Sequence, residues 1–259
     1  MLIKFIKYQS VGNDFVLVDL EYNSGLQKKD YPKLATLICN RNFGVGSDGL
    51  IILSDSKMLF LNPDGTYDIC GNGMRCVADY LYLKTNCISF TIETDYSNIS
   101  ANILDDSFIE TIHPKVTRFN RITTSEVEGV LVYSGTPHFC IFDQVLDSIL
   151  IEEQGRNLEN SIDPSEPVNV DFIGANLDIS QFDPLSVDIR IWERGVGQTV
   201  GCGTAAIAVS SVINSIYPNI TNFQINSLGG ILRCFIQDKH VSLIGKAQTV
   251  YNGQFKFLS

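Results

Sequence analysis

Basic charge is scarce in this 259-residue sequence and nowhere clustered. Nineteen Lys and Arg stand against 29 Asp and Glu, for a formal net charge of −10. Without a basic patch there is no electrostatic footprint for a polyanion, so DNA and RNA are not expected partners. Long apolar runs are missing too, and no stretch reaches the length needed to cross a bilayer. The N-terminal MLIKFIKYQSVGNDF has neither an extended apolar region nor a small-residue cleavage site and reads instead as an alternating strand with Lys4 and Lys7 outward. No C-x-x-C occurs, and the seven cysteines are scattered at an odd count. That pattern excludes a disulfide framework and fits reduced thiols in a cytoplasmic protein.

What is present is a core-forming composition, 44% hydrophobic, with turn residues at regular intervals. The chain is long enough for one large domain or two small ones. A strand is expected from Leu2 to Tyr8, a turn at Val11 to Asp14, and a second strand from Phe15 to Asp19. A helix follows with Leu34, Ala35, Leu37 and Ile38 inward. Gly44, Gly46 and Gly49 then spell G-x-G-x-x-G, but a helix precedes them and a strand (Leu50 to Leu53) follows, the reverse of a dinucleotide-binding turn. Met74, Val77, Ala78 and Leu81 recur at helical spacing, which places Arg75 and Asp79 off the buried face. Strands are expected at Ile88 to Glu93 and Ile99 to Leu104, and IHPKV at 112–116 separates two halves.

The halves match one another. At the offset between Cys70 and Cys202, SNISANILDD lies over GGILRCFIQD, so that Ile99 meets Ile231 and Asp106 meets Asp238. At a slightly shorter offset FVLVD (Phe15 to Asp19) lies over FCIFD (Phe139 to Asp143). Segments matching in the same order indicate a duplicated α/β unit. The expected domains are 1–114 with 248–259, and 115–247. The helix after Cys202 carries Ala205 to Val209, Val212, Ile213 and Ile216, apolar on nearly every side, and so must be wrapped by its own sheet until Pro218 ends it.

Each half thus presents a cysteine in a Gly-rich turn at a helix start. There the positive end of the helix favours a thiolate, and free N–H groups can hold an anion. Gly71, Gly73, Gly201 and Gly203 let a ligand come close to the backbone. Cys39, Cys76, Cys87, Cys140 and Cys234 lie in apolar patterns and read as small buried hydrophobes. A zinc site from Cys70, Cys76, Cys202 and His138 lacks the usual ligand spacing, so no metal is expected. A Cys70–His138 hydrolase leaves the second cysteine loop without a purpose. Two thiols fit inversion of a carbon centre without a cofactor: one removes the α-proton and the other returns a proton to the opposite face, while the helix starts stabilise the charge built on the substrate carboxylate.

The motifs GNDF, FGVGSDGL, NPDG, CGNGMRC, PH, VNVDF, ERGVG, CGT and YNG, spread over both halves, resemble the diaminopimelate epimerase family. The resemblance implies an α/β protein of α+β type, with two pseudo-symmetric domains, each a sheet wrapped around a central helix, and the active site in the interdomain cleft. It implies an isomerase acting on LL-2,6-diaminopimelate for lysine and peptidoglycan precursor synthesis, without a cofactor, and often a homodimer. Cys70 and Cys202 match the acid/base pair, and His138 and Glu193 match the groups that assist them. Gly71, Asn72, Gly203 and Thr204 match the loops that hold the reacting carboxylate. Asn13, Asn62, Asn169 and Arg194 match the residues that fix the far end of the substrate. Thr136 stands where many members have Asn, and Gln198 where many have Glu. A racemase of glutamate or aspartate on the same fold is the alternative that Thr136 keeps open; a cysteine hydrolase or a non-catalytic binding module is more remote.

Overall fold

The computed structural model describes residues 1–258 except 96–97, 105–107, 125–126, 147–149, 164, 176, 178 and 180–182, with Asp143 described by its backbone alone. Asp106, one of the residues matched between the halves, lies outside the described residues. The chain divides into two compact units, Met1–Thr111 with Gly245–Ser259, and Ile112–Ile244.

The first unit opens with β1 (Leu2–Ser10) and β2 (Asn13–Asp19), an antiparallel hairpin closed by Val11 and Gly12, both at positive φ. A two-residue turn of that kind suits the right-handed twist of the flanking strands, although Val11 is β-branched and adopts it under strain. Helix α1 (Tyr31–Ile38) buries Tyr31, Leu34, Ala35 and Ile38. Leu37, expected inward, is 40% exposed because it falls outside the stripe those four residues share. Strands β3 (Gly49–Ser54), β4 (Lys57–Leu61) and β5 (Tyr67–Asp68) lead to α2 (Gly71–Thr85), after which come β6 (Ser89–Glu93) and β7 (Asn98–Ile103). β2 pairs with β3 in parallel, β3 with β4 antiparallel, β4 with β6 in parallel and β6 with β7 antiparallel.

Strand β8 (Phe108–Pro114) carries the chain into the second unit, which continues with β9 (Phe119–Thr123), β10 (Glu128–Tyr133), β11 (Pro137–Gln144), α3 (Ile151–Glu159), β12 (Asn169–Gly174), β13 (Leu185–Glu193), β14 (Gly197–Thr199), α4 (Gly203–Ile216), β15 (Asn222–Ser227), β16 (Gly230–Ile236) and β17 (His240–Lys246). Its pairing repeats that of the first unit: β10 with β11 antiparallel, β11 with β12 parallel, β12 with β13 antiparallel, β13 with β15 parallel and β15 with β16 antiparallel. The chain then returns to the first unit as β18 (Gln248–Lys256), antiparallel to β1. β8 and β17 each run across a boundary between units. The boundaries between units, at 111/112 and 244/245, therefore fall inside strands.

Each unit buries its own central helix. α4 hides Gly203 and every residue from Ala205 to Ile213 against β10, β11, β12, β15 and β16. Each Val or Ile buried there contributes about 1.5–3 kcal/mol. Beyond that run Ile216 reaches solvent. α2 is wrapped as completely by β1, β2, β4, β6, β7 and β18, burying Asn72–Ala78, Tyr80 and Leu81. Arg75, expected outside, is fully buried, because its guanidinium finds acceptors in Ser10 Oγ at 3.1 Å and Asn72 Oδ1. Lys7 is buried as well, held by Asp14 and the Gly46 carbonyl. Cys87 is exposed rather than a core hydrophobe, since it follows α2 and its left-handed cap Asn86. Among the described residues none of the seven cysteines is in a disulfide. Among the described residues no helix is long and apolar enough to cross a membrane.

Candidate functional site

Cys70 is the N-cap of α2, in extended conformation with φ −138° and ψ 109°. Its half-buried thiol points to Asn13 Oδ1 at 3.7 Å, and Asn72 Nδ2 donates to the same oxygen at 3.3 Å. The β1–β2 turn delivers Asn13 to this helix start. Asp48 Oδ2 accepts from Asn13 Nδ2 at 2.7 Å, and Asp48 is itself tied to Arg41, which also grips Asp14. Arg75 holds Asn72 from behind. The two glycines flanking Asn72 differ in their reason. A Cβ at Gly73 would stand 2.9 Å from Met58 Cε, so a side chain there would have to push the end of Met58 aside. A Cβ at Gly71 would meet nothing within 4 Å, so the protein leaves open space over the first turn of α2.

Cys202 occupies the equivalent place in the second unit, the N-cap of α4 with φ −135° and ψ 126°. Its Sγ lies 3.2 Å from Thr204 Oγ1, and Thr204 Oγ1 lies 3.0 Å from His138 Nε2. His138 Nδ1 is 2.9 Å from Asp171 Oδ2, and both side chains are fully buried. Thr136 Oγ1 stands 3.1 Å from His138 Nε2 and accepts from Asn169 Nδ2 at 3.1 Å. Gly135 makes this turn possible with φ 101°, a value that favours glycine. Asn169 Oδ1 in turn accepts the Arg194 backbone N–H at 3.0 Å.

Burial pushes the Cys202 thiol well above its ordinary range, and the Glu193 and Asp171 carboxylates push the same way. The Thr204 hydroxyl and the Ala205 N–H pull it down without overcoming burial. Burial thus opposes the thiolate that the helix start favours at Cys202. A helix N-terminus contributes at most about 2 kcal/mol, whereas full desolvation of a charge shifts ionisation by about 3–5 units.

The chain has relatives among known proteins. Residues 5–112 and 130–250 match the family described as diaminopimelate epimerase. The chain belongs to the diaminopimelate epimerase family. It is 30% identical to the diaminopimelate epimerase of Pelotomaculum thermopropionicum over 98% of this chain and 99% of that one. It is 31% identical to that of Desulforapulum autotrophicum over 99% and 100%. Among solved structures it is similar in fold to a PhzF-family phenazine biosynthesis protein of Bacillus anthracis (TM-score 0.75, 15% identity, 99% of this chain and 100% of that one). It is likewise similar in fold to a hydroxyproline epimerase of Agrobacterium vitis (TM-score 0.70, 14% identity, 98% and 91%).

Within the family pattern, the residues expected at the site gather in two sets. Cys70, Gly71, Asn72 and Asn13 lie together in the first unit, and Cys202, Gly203, Thr204, His138, Thr136 and Asn169 in the second. Asn62 bonds instead within its own turn, to Thr66 Oγ1 at 3.1 Å and Asp68 Oδ2 at 3.5 Å. The Arg194 guanidinium, expected to take a substrate carboxylate, bonds Glu166 Oε1 at 3.0 Å and the Pro167 carbonyl at 3.3 Å through Nη1. Glu193 accepts the Thr199 hydroxyl at 2.5 Å. Gln198, one place earlier on β14, is exposed, since neighbours on a strand face opposite ways. Asp171 and Arg75 escaped the sequence reading. The VNVDF motif contains Asp171, but its contact with His138 depends on strand register. The G-x-G-x-x-G loop has its amides engaged: Gly44, Val45, Gly46 and Ser47 N–H groups donate to carbonyls of Ile38, Cys39 and Asn40. Such a loop has no amide cradle left for a phosphate.

Proposed function

We propose that this chain epimerises LL-2,6-diaminopimelate to the meso form without a cofactor, using Cys70 and Cys202 as the two acid/base groups. The observation that carries the reading is that each unit sets one cysteine as the N-cap of its buried central helix. A single nucleophile would not require the second; removal of a proton from one face and delivery to the other requires both. One thiolate takes the α-hydrogen, the other thiol supplies its replacement, and His138 and Glu193 assist the exchange. N–H groups of Gly71-Asn72 and Gly203-Thr204 hold the reacting carboxylate as charge develops on it. Asn13, Asn62, Asn169, Arg194 and Thr136 are assigned to the rest of the substrate, Arg194 by sharing its fork between Glu166 and a carboxylate. Seven cysteines, an odd number scattered without staple-like spacing, support a reducing compartment such as the cytoplasm. The test is incubation with LL-diaminopimelate in deuterated water. Meso product labelled at the inverted carbon is expected, and neither label nor meso product would overturn the reading.

One observation favours a second reading, racemisation of another amino acid on the same fold. The Thr136 hydroxyl is spent on Asn169 and His138. A panel including glutamate and aspartate decides between the two by which substrate acquires α-deuterium.

A further inference from the structure

Four side chains of the second unit form one hydrogen-bonded line ending on the Cys202 sulfur. The steps are 3.2 Å from Sγ to Thr204 Oγ1, 3.0 Å from that oxygen to His138 Nε2, and 2.9 Å from His138 Nδ1 to Asp171 Oδ2. A carboxylate so placed accepts the Nδ1 hydrogen and leaves the Nε2 lone pair facing the hydroxyls. Asp171 Oδ1 is buried with no hydrogen-bond partner among the described residues, and Oδ2 otherwise receives only the weak Cys140 thiol at 3.7 Å. A carboxylate taken so completely out of water depends on the imidazole Nδ1–H for its strong hydrogen bond among the described residues. Thr136 Oγ1 stands 3.1 Å from the same Nε2 atom and accepts from Asn169 Nδ2.

We propose that Thr204 is a proton relay between Cys202 and His138, and that Asp171 is the residue positioning His138 for it. The inference deepens the epimerase reading and rests on it. The Cys202 S–H bond breaks with its electron pair left on sulfur, and that hydrogen passes to Thr204 Oγ1 while the hydroxyl hydrogen of Thr204 passes to His138 Nε2. The hydroxyl is regenerated, and the products are a thiolate and an imidazolium that faces the Asp171 carboxylate. Reversal restores the thiol after it has given its hydrogen to substrate; a thiolate that takes the α-hydrogen becomes the thiol directly. A relay is needed because the buried sulfur loses its proton reluctantly and, among the described residues, His138 reaches it through Thr204 alone. The backbone N–H of Thr204 remains available for the substrate carboxylate, so the residue serves both purposes with different atoms. The titratable groups facing the line are Cys140 on β11, Asp171 on β12 and Glu193 on β13.

The test reads the thiol without any substrate. Full-length wild type, Thr204→Val, Thr204→Ser and Asp171→Asn are alkylated with iodoacetamide from about pH 6 to about 10, and the rate at Cys202 is followed by peptide mass, with circular dichroism as the check on folding. Loss of one hydrogen bond to a forming charge predicts about tenfold slower alkylation of Cys202 near pH 7 in Thr204→Val, with its reactive limb moved to higher pH. Thr204→Ser keeps the wild-type profile, Asp171→Asn shifts in the same direction as Thr204→Val, and Cys70 is unmoved in all three. A wild-type Cys202 profile in Thr204→Val, or a Thr204→Ser as slow as Thr204→Val, would overturn the relay. Should Thr204→Val fail to fold, an unshifted Asp171→Asn overturns the proposal in its place. Absence of α-deuterium exchange in wild type, with the alkylation profiles as expected, would sink the epimerase reading and leave the hydroxyl link standing.

Discussion

Lys7 Nζ lies 2.5 Å from Asp14 Oδ2 in the first unit, with the lysine side chain only 7% exposed. Strand alternation puts this lysine on the buried face of Ile3 and Phe5, where its charge alone would disfavour it. The pair, with Arg41 on the other side of Asp14, braces the turn that presents Asn13 to Cys70.

That pairing has a signature in acid. Burial works against the Asp14 charge, but Arg41 and Lys7 overcome it and hold the carboxyl down at about 2. A carboxyl depressed on folding contributes stability that is fully present above its unfolded value near 4 and is lost as pH falls through the folded one. Wild type is therefore expected to lose melting temperature between about pH 4 and about pH 2, and Asp14→Asn to lose less over that window while melting lower at pH 7. Calorimetry across the window checks both.

Each of the two cysteines proposed as acid/base groups is expected to be indispensable alone. Cys70→Ser and Cys202→Ser should each lower epimerisation by about 10³-fold or more, since a hydroxyl is a far weaker acid/base partner than a thiol. Cys87→Ser, on an exposed cysteine outside both sets, should leave kcat and KM unchanged. Steady-state assays with the three variants decide it.

Glu193 separates two effects. Its carboxylate opposes ionisation of Cys202, second to burial. Glu193→Gln should move the Cys202 thiol titration to lower pH, read from thiolate absorbance in a Cys70→Ser background. If Glu193 also assists proton transfer, kcat falls even though the thiol has become more acidic.

Thr136 is expected to matter more to kcat than to KM. Thr136→Val removes one acceptor of Asn169 Nδ2, leaving the Pro137 carbonyl, and one of the hydroxyls beside His138 Nε2. Loss of one such buried bond, about 1–1.5 kcal/mol, corresponds to roughly a tenfold fall in kcat. An unchanged kcat with a raised KM would assign Thr136 to substrate binding alone.

Arg75 supports the first helix start from inside. Arg75→Met removes the donor to Asn72 Oδ1 and Ser10 Oγ while keeping apolar bulk. A loss of roughly 2–3 kcal/mol is expected by urea unfolding, together with weaker substrate binding as Asn72 loosens. Unchanged stability would show that the apolar stem carries the packing.

Much of this architecture was legible because it is written locally. Met74, Val77, Ala78 and Leu81 announce α2, and the apolar run after Cys202 announces a helix buried on all sides. Lys7 and Arg75 were misplaced because residue type and period say only where a charge prefers to be. Burial was decided by partners far along the chain, Asp14 and Gly46 for one, Ser10 and Asn72 for the other.

The sequence alone determined the repeat, the two cysteine turns and the residue types at the helix starts, since each is carried by neighbouring residues and their spacing. The tertiary structure decided how the second set is wired. Parallel pairing of β11 with β12 sets His138 opposite Asn169 and Cys140 opposite Asp171, so Asp171 lies diagonally across from His138 on the same face. A shift of one residue in that register would turn Asp171 to the other face of the sheet, and the register is fixed by packing of the whole unit rather than by either strand.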